Sequence, residues 1–395
     1  MTASAVVQLD CAVQEYAWGR VGNESAIAGL LPNANATRGA TAEGTPLAEL
    51  WMGDHVNGPA RLTGSGTLLS EHMGARGLGR LPFLLKVLSV HKPLSIQAHP
   101  DKSLAERLHE QFPELYKDDN HKPEMAIALG DFEALCQFRS AEEIRANVAG
   151  VPELAGLVAD AVVPSAAGDD GSWLRAHYGA LMRQSDATVR AAVETLVARV
   201  EGKPEAERSE TERVALHLNR FFPGDVGVMS AFFLNYVKLT DGQALFLAAN
   251  EPHAYVSGNC VECMATSDNV VRGGCTPKHK DVDTLLNMLT YQMGAPKVLT
   301  GQAVDDVAHV YAAPVPEFKV IRLQPGGKET YTLAKQPGPS VLLTLGGTAT
   351  VQAGDAAVKL AKGVIVFAET ASASVTLTNC SSDLVVFQAT VADLA

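Results

Sequence analysis

Three stretches of the chain carry side chains suited to metal or proton chemistry. In Pro93-Leu-Ser-Ile-Gln-Ala-His-Pro-Asp-Lys102, Gln97 and His99 lie two positions apart. If Leu94 to His99 is a strand, both project from the same face. Imidazole is the commonest metal ligand at neutral pH, yet a single strand histidine is more often a hydrogen-bonded structural residue, and glutamine is a weak ligand. In Asp119-Asn-His-Lys-Pro-Glu-Met125, Glu124 opens the apolar run to Leu129 and offers a hard oxygen ligand. The competing reading is a solvated loop. The third stretch, Asn250 to Lys280, is the densest. His253 and Tyr255 share a face if extended. Cys260 and Cys263 suggest a zinc ribbon or a redox pair, but no second cysteine pair exists, and on a strand the two point to opposite faces. Arg272, Lys278 and Lys280 form a basic cluster, for which an exposed loop is the alternative.

These residues need strands from distant parts of the chain to bring them together. Residues 1 to about 135 read as short strands, such as Phe83–Leu88, separated by Gly, Pro and Asn. One helix is expected near Ser103–His109, capped by Asp101 or Ser103. Asn33 to Glu43, small and polar, reads as a surface loop. Near residue 140 the texture changes. Ser140 with Glu143 forms a capping box. Val189, Ala192, Val193, Leu196, Val197 and Val200 make a helical stripe capped by Ser185. Glu205–Leu218 reads as a further helix and Gly168–Ser172 as a loop, so 140–223 is an all-helical insertion. Strands resume at Leu234. From 305 onward, strand follows short strand between Gly turns, the pattern of a jelly-roll or barrel.

The chain has 395 residues, too many for one typical core. Its 47% hydrophobic and 19% charged residues fit a folded globular protein. A formal charge of −12 argues against nucleic acid or an anionic membrane as the main partner, while leaving room for a small anion in a locally positive pocket. No run approaches the roughly 18 apolar residues of a membrane span. No basic n-region precedes Asp10, and six scattered cysteines form no framework, so a reducing, cytoplasmic location is expected.

Together the motifs resemble type I phosphomannose isomerases over nearly the whole chain. Tyr16-Ala-Trp-Gly19 comes first, then Ala48-Glu-Leu-Trp-Met-Gly53 with His55, Leu94 to Lys102, Asn120-His-Lys-Pro-Glu-Met-Ala-Ile-Ala-Leu129, Pro223-Gly-Asp225, and His253 through Lys278. Two positions depart from the family pattern, Asp54 and Cys275, and neither is an expected ligand. The resemblance implies a mainly β cupin fold (jelly-roll β-barrel domains) with an inserted α-helical domain. Its parts are a catalytic zinc cupin of 1–139 and 224–304, the insertion of 140–223, and a metal-free cupin-like barrel of 305–395. It implies one zinc per chain, held by Gln97, His99, Glu124 and His253. It also implies a monomer acting on a small sugar phosphate.

The implied reaction interconverts mannose 6-phosphate and fructose 6-phosphate. It requires a base for the carbon-bound proton, stabilisation of an enediolate, and an anchor for phosphate. Glu262 is the first candidate for the base, its alternative being a structural carboxylate paired with Lys122 or Arg272. Arg272, always protonated, suits holding charge. Lys122 suits oxygen proton transfer, with His121 facing the other way. Ser95, Lys86 and Lys278 are the expected phosphate clamp. Tyr255 and Asp268 are candidate hydroxyl contacts, and Trp18 the pocket mouth. The alternatives are another metal-dependent cupin, such as an oxygenase, or a non-enzymatic sugar-phosphate-binding cupin.

Overall fold

A computed structural model describes residues 5–34, 44–163 and 169–392. One antiparallel sheet is built around the strands Glu124–Phe138, His253–Ala265, Phe83–Val90 and Glu49–Met52, in that order. Its outer members are Gln243–Leu247, Val298–Thr300 and Ala12–Gln14, with Leu234–Leu239 pairing to the long strand. Ile96–Ala98 bridges His253–Ala265 and Val271–Gly274. The central strands are buried on both faces, so they read as near-continuous apolar runs rather than alternating ones.

The faces are nevertheless distinct, because successive side chains alternate. Met125, Ile127, Leu85, Val87, Val261 and Cys263 point into one core. Ala126, Ala128, Leu88 and Cys260 point into another, together with Tyr255. Cys260 and Cys263 therefore lie on opposite faces, and both are free thiols. The polar residues Lys86, Glu124 and Glu262 have the parity of the second face.

The first core is shared with another sheet. Phe318, Val341, Leu343, Ile365, Phe367 and Phe387 fill it from the other side. Apart from Phe318, which immediately precedes a strand, they belong to an eight-stranded antiparallel sheet that includes Ala308–Ala312, Lys319–Leu323, Val385–Thr390, Ser340–Gly346 and Ile365–Ala368. The first strand of the chain, Val6–Asp10, also enters this sheet, pairing with Ile365–Ala368. A four-stranded sheet, Thr330–Thr332, Thr376–Thr378, Thr348–Ala353 and Ala356–Ala361, closes the C-terminal sandwich over a third core.

Between strands Glu124–Phe138 and Leu234–Leu239 the chain is helical. Ser140 and Glu143 form the expected capping box on helix Ala141–Gly150. Helix Asp186–Glu201 is capped by Ser185 and buries Val189, Val193, Leu196 and Val200. Burying one such side chain is worth about 1.5–3 kcal/mol. Two expectations shift. Glu205–Leu218 divides into a short 3₁₀ turn, Glu205–Glu207, and helix Glu210–Phe221, because Ser209 and Glu212 form a second capping box. Asp169 caps helix Asp170–Met182, so Ser172 lies in a first turn rather than a loop; Gly168 is outside the described residues. Most of the expected loop at Asn33–Glu43 also lies outside them. Near the site, Asp101 caps helix Lys102–Gln111.

Candidate active site and metal centre

His99, Glu124 and His253 converge from separate elements. Their ligand atoms lie within 4.8 Å of one another, and all three residues are buried. His99 follows the bridging strand Ile96–Ala98, Glu124 begins its long strand, and His253 begins the neighbouring one. The strand register places Gln97 opposite His253 on one side and opposite Arg272 on the other. The two imidazoles are oriented through their other nitrogens. His99 Nδ1 lies 2.7 Å from the Asn269 carbonyl, and His253 Nδ1 lies 3.1 Å from that of Glu251. A carbonyl only accepts, so each Nδ1 carries the proton and each Nε2 presents a lone pair.

Those lone pairs point at Glu124. His99 Nε2 is 3.4 Å from Oε1, and His253 Nε2 is 3.4 Å from Oε2. Both Nε2 atoms and Glu124 Oε2 are buried without a hydrogen-bond partner. Leaving three such atoms orphaned is costly. A divalent cation resolves this, since donors about 2.0–2.1 Å from a tetrahedral zinc stand roughly 3.3 Å apart. Charge agrees with the geometry. Burial pushes His99 down to about 4, against the pull of Glu124, so the ring is neutral and ready to ligate. Burial opposes ionisation of Glu124, but Lys122 and His99 outweigh it and hold the carboxyl well below the usual range.

A second polar cluster occupies the same sheet face. Glu262 stands opposite Lys86 on one strand and Ala126 on the other, two positions from Glu124 along that strand. Lys86 Nζ is 3.1 Å from Glu262 Oε2 and 3.2 Å from Glu49 Oε2. The Tyr255 hydroxyl donates to Glu262 Oε1 at 2.8 Å, and the Trp51 indole donates to Glu49 Oε2 at 2.6 Å. Burial works against the Lys86 ammonium, but Glu49 and Glu262 more than restore it, and its pKa is raised. Glu262 goes the other way from Glu124. Burial raises its pKa, and although Lys86 pulls against this, burial together with the nearby Glu124 charge prevails. Two carboxylates on one face are thus driven apart in acidity, the pattern that separates a ligand from a proton-transfer group.

The other expected residues are distributed around these clusters. Arg272 is half-buried, and its side chain makes no hydrogen bond or ion pair with the described residues. Lys122 Nζ sits 2.9 Å from Glu124 Oε1, while His121 turns away to Glu317. Trp18 packs against the cluster containing Tyr255. Asp268 is exposed and interacts with His55 and Asn57. The His55 hydrogen bond lowers its pKa, with burial opposing. Ser95 precedes Ile96 on the bridging strand. Lys278 is exposed and lines a cleft with Arg190, Gly224 and Lys280, to which none of the metal-cluster residues contributes. Lys86, expected at the phosphate, is instead committed to two carboxylates.

Local backbone packing fixes the strand that bears Arg272. Asp225 caps the short helix Val226–Ser230 and accepts from the Cys275 amide at 2.6 Å. A Cβ on Gly274 would fall 2.7 Å from the Gly227 backbone, so only glycine lets helix and strand meet this closely.

Sequence reasoning missed Glu49 and Trp51 as site residues, although both lie in the Ala48–Gly53 motif. The available signal was a glutamate inside an otherwise apolar strand. It also missed Asn269, which acts through its backbone and so leaves no side-chain signature.

A mainly β frame with a helical insertion, carrying a buried His–Glu–His cluster, defines a mononuclear metalloenzyme. Three family models match the chain: the catalytic domain of type I phosphomannose isomerase over residues 6–141, its helical insertion domain over 152–234, and its C-terminal region over 310–356. Mannose-6-phosphate isomerase 2 of Arabidopsis thaliana is 41% identical over 392 residues, covering 92% of this chain and 88% of the relative. The Homo sapiens mannose-6-phosphate isomerase is 39% identical, covering 98% and 99%. Among solved structures, the apo mannose 6-phosphate isomerase of Salmonella typhimurium superposes with a TM-score of 0.82 at 26% identity, covering 98% of this chain and 100% of that one. A mannose 6-phosphate isomerase bound with zinc and yttrium gives 0.81 at 26%, covering 97% and 99%. The chain belongs to the type I phosphomannose isomerase family, and its fold is the cupin fold of that family.

Proposed function

We propose that this chain is a zinc-dependent mannose-6-phosphate isomerase that interconverts mannose 6-phosphate and fructose 6-phosphate through an enediolate. The observation that carries this reading is the juxtaposition on one sheet face. An orphaned His99–Glu124–His253 donor set lies beside Glu262, a buried carboxylate of raised pKa. Gln97 completes the donor set as a neutral fourth ligand. Zinc bound there would supply a Lewis acid that stabilises negative charge on the substrate oxygens.

The remaining roles fall to the chain's own residues. Glu262 takes the proton from C2 of the open-chain aldose and returns it to C1. Its raised pKa brings it nearer the working pH, where a general base is most effective. Lys86 and Tyr255 hold both carboxylate oxygens in place. Arg272, with no ion-pair partner among the described residues, balances charge on the enediolate. Lys122 moves protons on the substrate oxygens. Phosphate is held by Ser95 and Lys278, since the ladder between Gln97 and Arg272 runs on through Ile96 and Gly274 toward both. Asp268 and Trp18 contact substrate hydroxyls and close the mouth. Lys86 leaves the clamp in this scheme, because a buried ammonium between two carboxylates has no charge to spare.

We also propose a division into 1–139 with 224–304, 140–223, and 305–395, and a cytoplasmic monomer. The ranges of the three family models support the first, and six free, buried cysteines are compatible with a reducing location. No helix among the described residues is long and apolar enough to cross a membrane.

The test is a coupled assay for fructose 6-phosphate formed from mannose 6-phosphate. Arg272→Ala should lower kcat heavily, whereas Lys278→Ala should raise KM more than it lowers kcat. No turnover by the zinc-loaded protein would refute the function. Equal effects of both variants on KM alone would refute the division of roles.

A further inference from the structure

Asn120-His-Lys-Pro is an irregular segment that must aim Lys122 at the metal cluster. Four hydrogen bonds tie it to the catalytic sheet region. The Asn120 carbonyl accepts from Asn269 Nδ2 at 3.0 Å and from Ser267 Oγ at 3.1 Å. Asn120 Nδ2 donates to the Thr266 carbonyl at 3.0 Å, and the Pro123 carbonyl accepts from the Ala265 amide at 3.1 Å. These hold the residues on either side of the pair His121–Lys122, not the pair itself.

The pair is held from two opposite directions. Lys122 reaches Glu124 at 2.9 Å. His121 donates from Nε2 to Glu317 Oε1 at 2.6 Å. Glu317 comes from the other sheet, just before strand Lys319–Leu323. Its base is rigid: Phe318 is fully buried in the core shared by the two large sheets, and the Pro316 carbonyl accepts from the Ala392 amide. The His121 and Glu317 side chains are only 19% and 15% exposed, so this contact is screened far less than a surface pair. Burial opposes ionisation of Glu317, but the His121 hydrogen bond, a backbone amide and the nearby His121 and Lys102 charges together outweigh it and lower its pKa.

We infer that Glu317 is a positioning residue for the reaction: the C-terminal sheet holds the lysine-bearing segment of the catalytic sheet through Glu317–His121. This rests on the proposed role of Lys122. An extended pair projects its side chains to opposite sides, so restraining His121 fixes the direction of Lys122. Without the restraint the segment can turn about its Asn120 and Pro123 anchors, and Lys122 loses its aim while the metal ligands stay put.

The test compares steady-state kinetics of Glu317→Ala and Glu317→Gln in the full-length, zinc-loaded protein. Wild-type turnover, together with its loss in Lys122→Met, establishes the underlying reading separately. Glu317→Ala should then lower kcat about tenfold, with little change in KM, zinc content or unfolding midpoint. Glu317→Gln should recover most of the loss, because its amide oxygen still accepts from His121. The double variant His121→Ala/Glu317→Ala should be no worse than His121→Ala alone. Wild-type kcat in Glu317→Ala, or a glutamine variant no better than alanine, would overturn the inference. So would a loss that follows a lowered unfolding midpoint, which would mark Glu317 as structural only.

Discussion

Replacing Lys86 with methionine keeps most of the side chain's volume and removes one charge from between two buried carboxylates. The ammonium lies 3.1 and 3.2 Å from Glu262 and Glu49. At an effective dielectric of about 20, each contact has a gross attraction of roughly 5 kcal/mol. Desolvation of all three groups offsets much of it, and losing one partner of a buried pair usually costs about 3–5 kcal/mol. The cost has a ceiling set by protonation. A carboxyl with an unfolded pKa of about 4.3 can be neutralised at pH 7.5 for about 4.4 kcal/mol, and at pH 5.5 for about 1.6 kcal/mol. In the variant, Glu262, whose pKa burial already raises, therefore carries a folded pKa well above its unfolded value. Such a group binds its proton more tightly when folded, so stability falls as pH rises between the two pKa values. Lys86→Met should be about 3–4 kcal/mol less stable than wild type at pH 7.5. At pH 5.5 that deficit should shrink by about 2–3 kcal/mol. Urea unfolding at both values, in chelating buffer so that metal binding does not vary, measures it. A deficit below about 1 kcal/mol at pH 7.5, or one that grows as pH falls, would sink the reasoning.

Removing the metal should abolish turnover and leave the fold standing, since Glu124 and His253 open long paired strands and His99 directly follows a third. Zinc added at 100 times its Kd should then stabilise the protein by about 2.7 kcal/mol. Glu124→Gln should lose that response, which calorimetric titration and metal analysis would detect; undiminished zinc binding would contradict the assignment. In the helical insertion, Glu212 is buried beside Lys203 at 2.6 Å and Arg199 at 3.4 Å. Burial opposes its charge, but these partners and the Ser209 amide lower its pKa. A lowered folded pKa gives stability that is present above the unfolded value and lost as pH falls through the folded one. Glu212→Gln should accordingly cost about 1–2 kcal/mol at pH 7, with the difference vanishing below about pH 4. A gap that persists unchanged at pH 3.5 in urea unfolding would show that packing, not charge, holds Glu212.

Local signals in the chain were sufficient for many of its elements and for its candidate ligand types. The capping box at Ser140, the stripe from Val189 to Val200, and the alternation that separates Cys260 from Cys263 depend on neighbours a few residues away. So does the pairing of Gln97 with His99 on one face, and the opposed directions of His121 and Lys122. The ordered motifs then fixed the family, and with it the reaction. What sequence could not decide involved partners far apart along the chain. Nothing local sends Val6–Asp10 to the sheet of the last third, where Ile365–Ala368 receives it. Lys86 read as a free cation for phosphate, because Glu49 and Glu262 become its neighbours only through strand register. The opposed acidities of Glu124 and Glu262 arise from burial, which raises both, and from Lys122 and His99, which outweigh it only at Glu124; these surroundings exist only once the strands are paired. Glu317 lies 196 residues from His121, and only folding joins them. Side-chain type and spacing determine what chemistry is available to this protein; burial and long-range register decide which group does it.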